Sequence, residues 1–85
     1  MARVRVLRVL SEDPWKAIPL EEIEVPEGVD PFEKLSDVLA KYIVDGYECD
    51  DYGAASIQLC IKKTKDRIEK IMIGLWLDQV PEVIK

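Results

Sequence analysis

Histidine is absent from this sequence. Its absence removes the usual general base near neutral pH and the commonest metal ligand, and with them His-based catalytic triads, HExxH zinc sites and Cys2His2 fingers. Cysteine is scarce: Cys49 and Cys60 are too few for a disulfide framework of the secreted mini-protein kind and too few for a four-ligand zinc site. Reduced thiols in a cytoplasmic chain are the expectation. Long hydrophobic runs are missing as well. The longest, Ile71 to Leu77, has seven residues, against the ~18 a membrane-spanning helix requires. The opening Val-rich stretch is interrupted by Arg3, Arg5 and Arg8, so it reads as a strand and not as a signal segment.

What is present describes one small acidic domain over residues 1–85, with 48% hydrophobic residues and a net charge of −5. The charge is unevenly placed: +3 in residues 1–10, −10 in 11–52, +3 in 53–70 and −1 in 71–85. That distribution suggests a fold with one basic and one acidic side. The Glu-, Lys-, Ile- and Val-rich composition, with prolines mostly at element boundaries, is compatible with a thermophilic source.

The clearest element is a helix from Pro31 to about Asp45. Asp30 supplies an N-cap acid, Pro31 the first helical position and Glu33 the third. Phe32, Leu35, Val38, Leu39, Tyr42 and Ile43 form one apolar stripe, Asp37 and Lys41 an exposed i,i+4 pair, and Gly46 the stop. This face needs a sheet. Arg3–Leu10 reads as a strand whose alternation slips between Arg5 and Leu7, the mark of a central strand or a bulge. Ser11–Lys16 reads as a turn, and Ile23–Val25 as a short charged edge strand before Pro26. Ser56–Lys62 alternates most regularly, with Ile57, Leu59 and Ile61 on one face, and Tyr47–Asp50 is a candidate partner joined to it by a turn at Asp50–Gly53. Residues 67–77 fit both a helical stripe and a strand, but Gly74 and the β-branched isoleucines favour the strand, entered by a hairpin at Lys63–Asp66. The predicted fold is α+β, in the order β-β-α-β-β-β, with one helix on a mainly antiparallel sheet.

The run Ile23-Glu24-Val25-Pro26-Glu27-Gly28, followed by the capped helix with Leu35, Val38 and Leu39, resembles the second strand and helix of β-grasp proteins of the ubiquitin-like and sulfur-carrier type. The likeness covers about residues 20–45 and agrees with the element order. The chain ends Pro81-Glu82-Val83-Ile84-Lys85, without the Gly-Gly those carriers activate, so the resemblance implies a fold and no carrier chemistry, and it transfers no functional residue.

Four features are candidates for function. Arg3, Arg5, Arg8, Lys62, Lys63, Lys65, Arg67 and Lys70 would form a phosphate-attracting band if the first and last strands are neighbours. A solvated face is the bland alternative, no RNA-binding motif accompanies them, and the net negative charge opposes general nucleic-acid affinity. Tyr47–Gly53 gathers a thiol, three carboxylates and two phenols, but at no spacing that defines a metal loop, so it reads foremost as a polar turn. Cys49 and Cys60 would face each other only in a register that sets Glu48 and Asp50 beside Ile57, Leu59 and Ile61. Patterning favours the other register and two free thiols. The fourth feature is the run Ile71–Leu77, which as a strand is apolar on both faces while one helix covers only one. Met72 and Trp76 then need a cover: Trp15 of the Ser11–Lys16 loop, the segment Val80–Ile84, or a second copy of the chain, the last favoured by the interface preference for Trp and Met.

Taken together these features predict a non-catalytic protein-interaction module without cofactor or metal, self-associating as a homodimer or binding another protein, with no membrane contact. The alternative is a nucleic-acid-binding or regulatory protein using the basic band. An enzyme built on Cys49 or Cys60 ranks last, since no obvious cation in the sequence activates either thiol.

Overall fold

The computed structural model describes residues 2–77. Five strands and one helix follow in the order β1 (Ala2–Glu12), β2 (Trp15–Val25), α1 (Pro31–Val44), β3 (Glu48–Ala54), β4 (Ile57–Lys63) and β5 (Ile68–Leu77). The strands form one antiparallel sheet in the spatial order β2-β1-β5-β4-β3. This is the expected α+β architecture, and residues 68–77 are a strand. As the third of five strands, β5 lies at the centre of the sheet, in keeping with its apolar sequence from Ile71 onward, while Glu69 and Lys70 near its start are charged.

Helix α1 begins where its cap predicts, with the Asp30 carboxylate accepting from the Phe32 N–H at 2.9 Å and Pro31 at the first turn. It ends at Val44, with Asp45 as C-cap and Gly46 at φ +110°, a conformation that favours glycine. Leu35 and Val38 are buried against β1 and β5, and Leu39 and Tyr42 pack at the margin. The stripe is narrower than its sequence suggests, since Phe32 and Ile43 at its two ends are more than half exposed. Asp37 and Lys41 do not pair with each other among the described residues. Lys41 instead reaches Glu21 on β2 at 3.3 Å.

The β1–β2 hairpin is longer than expected. Its turn is confined to Asp13-Pro14, a cis peptide, and β2 runs the full length from Trp15. Two bulges hide this strand in the sequence pattern. Opposite Val6 and Leu7 the β2 partner steps from Glu21 to Pro19, leaving Leu20 over, and between Val9 and Ser11 it is Leu10 that is left over. Each bulge reverses the alternation, and Pro19 is tolerated because β2 is an edge. In the β3–β4 hairpin the expected turn at Asp50–Gly53 is part of the strand, and the chain reverses at Ala55-Ser56.

The core lies between helix and sheet. Val4, Val6, Val25, Cys60, Ile71, Ile73 and Tyr47 point to the helix side with Leu35 and Val38. In β4 the buried positions are therefore Gln58 and Cys60, while Ile57, Leu59 and Ile61 face the other way. That inverts the sequence expectation and carries the cysteine register with it. Cys49 lies opposite Cys60, their Cα atoms are 4.0 Å apart, and they form a disulfide. Two free thiols are thus not found. The carboxylates that argued against this register, Glu48 and Asp50, share a face with the aliphatics yet remain in contact with water, because β3 is the edge strand. The segment Val80–Ile84, a candidate cover for Met72 and Trp76, lies outside the described residues.

Candidate interaction surface on the open sheet face

On the face turned away from α1, one row of cross-strand neighbours crosses all five strands: Pro19, Leu7, Met72, Leu59 and Asp50. A second row joins Lys70, Ile61 and Glu48, and a third joins Glu22, Arg5, Gly74 and Ile57. An apolar centre thus has charge at its margins. Met72 at the middle is only 8% exposed, although no helix covers it. Near the hairpin tip Glu12 pairs with Lys70, and Trp15 stacks on Tyr52 of the opposite edge strand with ring centroids 6.5 Å apart. Trp15, a candidate cover for Met72 and Trp76, is thus engaged with Tyr52 on the opposite edge strand. Trp15 at 43% and Tyr52 at 44% nevertheless keep much of their surface in water.

Trp76 sits at the other end of β5. Its ring folds over Gly74, where an added Cβ would lie 3.0 Å from the indole, and the Arg5 guanidinium stands 5.1 Å above the ring. Glu22 holds Arg5 at 3.5 Å and Arg3 at 2.9 Å. Trp76 itself is 38% exposed. The margin along β3 differs in charge: Glu48, Asp50, Asp51 and Tyr52, with Leu59, Ile61, Lys63 and Gly46, line a cleft of about 420 Å³. Asp51 accepts a hydrogen bond from the Gln58 amide. Glu48 and Asp50 have no cation within ion-pair distance among the described residues.

The eight basic residues do not share one face. Arg3, Arg5, Lys63 and Lys70 lie on the open side, Arg8 and Lys62 on the helix side, and Lys65 in the β4–β5 turn with Arg67 beside it. Arg3, Arg5, Lys62, Arg67 and Lys70 are paired with Glu22, Asp45, Glu69 and Glu12. Among the described residues no three Asp, Glu or Cys side chains converge as a metal site. The Tyr47–Gly53 cluster is split by strand alternation, with Tyr47, Cys49 and Asp51 on the helix side and Glu48 and Asp50 on the open side.

The groups with displaced pKa values sit on the helix side. The Tyr42 hydroxyl donates to Glu21, and this bond, reinforced by Lys41, holds the Glu21 carboxyl below its usual range against the opposing effect of burial. Burial and the same bond push Tyr42 up. Tyr47 donates to Glu69 at 3.0 Å and is raised by burial first and by that bond second, while Arg67, then Tyr47, lower Glu69. These bonds tie α1 and its exit to the sheet. Tyr52 and the acidic margin went unrecognised as a surface in the sequence, because the register that places Glu48 and Asp50 beside Leu59 and Ile61 looked unfavourable there. No family model, curated protein or solved structure matches the chain.

Proposed function

We propose that the protein is a non-catalytic interaction module that works through the open face of its sheet and self-associates there as a homodimer. The observation that carries this reading is the open face itself: Leu7, Met72 and Leu59 lie side by side on its three central strands with no helix over them, and Trp76 is exposed on the same face beside Arg5. Trp, Met and Arg are the residues that protein interfaces favour. The displaced carboxylates, Glu21 and Glu69, are engaged in bonds that fasten the helix side of the fold, which fits a structural use of its acids. The basic residues are divided between two faces and five of them are matched by carboxylates, so nothing favours the nucleic-acid alternative. No helix among the described residues is long and apolar enough to cross a membrane. The disulfide removes reduced thiols as a ground for a cytoplasmic setting, and we retain that setting only together with a heat-adapted source, with which the charged, Ile- and Val-rich composition is compatible.

Light scattering at ~100 μM, a concentration at which an obligate interface is saturated, is expected to give twice the mass of the 9.7 kDa chain. The Trp76→Ala variant is expected to give the monomer with an unchanged far-UV circular dichroism spectrum. A monomeric wild type would overturn self-association.

A further inference from the structure

Among the described residues the sheet has two free edges, β2 and β3, and they are not equivalent. A strand added to β2 would meet Pro19, which has no N–H to donate, and a ladder broken at the Leu20 bulge. Natural edges are commonly blocked in this way. β3 carries no proline, and its register with β4 is regular over Glu48–Asp51 before an irregularity at Tyr52-Gly53, so it offers a short template of four residues. The Cys49–Cys60 disulfide fastens this short strand to the sheet, and a template held in place loses less entropy when a partner binds.

The side chains beside this edge define what would bind. Glu48 and Asp50 project onto the open face at the mouth of the cleft, without a cation of their own among the described residues, above a floor of Leu59 and Ile61. Lys63, at the end of β4, also lines the cleft, but opposite charge is what two adjacent unpaired carboxylates select. Lysine or arginine side chains on the open face of an added strand would stand beside the Glu48 and Asp50 carboxylates, and the exposed Tyr52 ring on the same strand offers a face to a cation. The chain's net charge of −5 steers a cationic partner in the same direction.

We infer that the free edge of β3 takes up an extended cationic polypeptide segment as a sixth strand, its alternate lysine or arginine side chains pairing with Glu48 and Asp50. This rests on the interaction-module reading but not on self-association, since Trp76 lies on β5, two strands away from β3.

The probe is a capped peptide of about eight alternating Lys and Thr residues, near the length of an ordinary strand, titrated into 15N-labelled protein at ~50 mM salt. Two control peptides accompany it: an alternating Glu–Thr peptide, and the Lys–Thr sequence with N-methylated backbone amides, which keeps its charge and loses its donors. The expected result is a set of amide shifts centred on residues 48–52, with at least about tenfold weaker binding of both controls and of Lys–Thr to a Glu48→Gln/Asp50→Asn variant. Should that variant fold poorly, the wild type reads the same contribution through a loss of affinity between ~50 and ~500 mM salt. Equal binding of the N-methylated peptide, shifts centred on β2, or no binding up to ~1 mM would overturn strand addition. A dimer that ignores the peptide leaves the interaction module standing and removes only this inference. A monomer that binds the peptide at β3 removes only self-association.

Discussion

Tyr42 shows how a residue that reads as core also fastens two elements. Its place on the helix stripe follows from spacing alone, but its hydroxyl partner does not, because Glu21 belongs to the stretch of β2 that the bulge at Leu20 conceals. The bond is a phenol donating to a carboxylate, stronger than a neutral pair but discounted here because the Glu21 side chain is about one-third exposed. Tyr42→Phe is expected to cost about 1 kcal/mol at neutral pH, measured by urea unfolding. The pH dependence has a definite sign. Because the folded Glu21 pKa is lowered, its contribution is fully present above the ordinary value of 4.5 and is lost as the pH falls through the folded value. The difference between wild type and Tyr42→Phe should therefore shrink in acid. A gap that stays constant from pH 7 to ~3 would mean that the hydroxyl's contribution does not depend on the ionised Glu21 carboxylate.

At the scale of the element, legibility depended on how many independent signals a segment carried. The helix had a cap, a proline, a stripe and a closing glycine, and all agreed with the structure except the two ends of the stripe, where Phe32 and Ile43 are exposed. β5 had one ambiguous pattern, settled by Gly74 and the β-branched isoleucines. β3 carried misleading signals, since its acids and Gly53 read as a turn while the aliphatic alternation of β4 pointed to the wrong core face. A strand inside a sheet can carry aliphatic side chains on either face, so alternation alone does not say which is inner. The disulfide compensates for what β3 lacks in packing, as nearly all of its residues are exposed. Its two cysteines lie 11 residues apart, and in the chain-entropy picture closing such a loop stabilises the fold by about 3 kcal/mol. Replacing both cysteines by alanine is expected to speed amide hydrogen exchange in β3 well before that of β1 and β5, because an edge strand opens locally before the centre of the sheet. Uniform acceleration across all strands would show instead that β3 and the core unfold as one unit.

At the scale of the whole molecule, an open five-stranded sheet with one helix should leave its second face in water, and yet Met72 at the middle of that face is nearly inaccessible. Leu7 and Leu59 flank it on the neighbouring strands. The Glu12–Lys70 pair and the Trp15–Tyr52 stack bring hairpin side chains to residues of this face, which makes Trp15 the candidate roof. Trp15 is the piece that can be removed without touching the core, being 43% exposed itself. Trp15→Ala is expected to reduce stability by about 1 kcal/mol, the scale of a partly exposed aromatic pair, and to open Met72 to solvent. Thioether oxidation follows exposure, so dilute hydrogen peroxide followed by peptide mass mapping should convert Met72 to its sulfoxide several-fold faster in the variant than in the wild type. Such a result would place Trp15 as the roof of the open face within a single chain. Equal protection in both proteins, at a concentration where each is monomeric, would show that strand neighbours alone shield Met72 and that the hairpin tip leaves the face free.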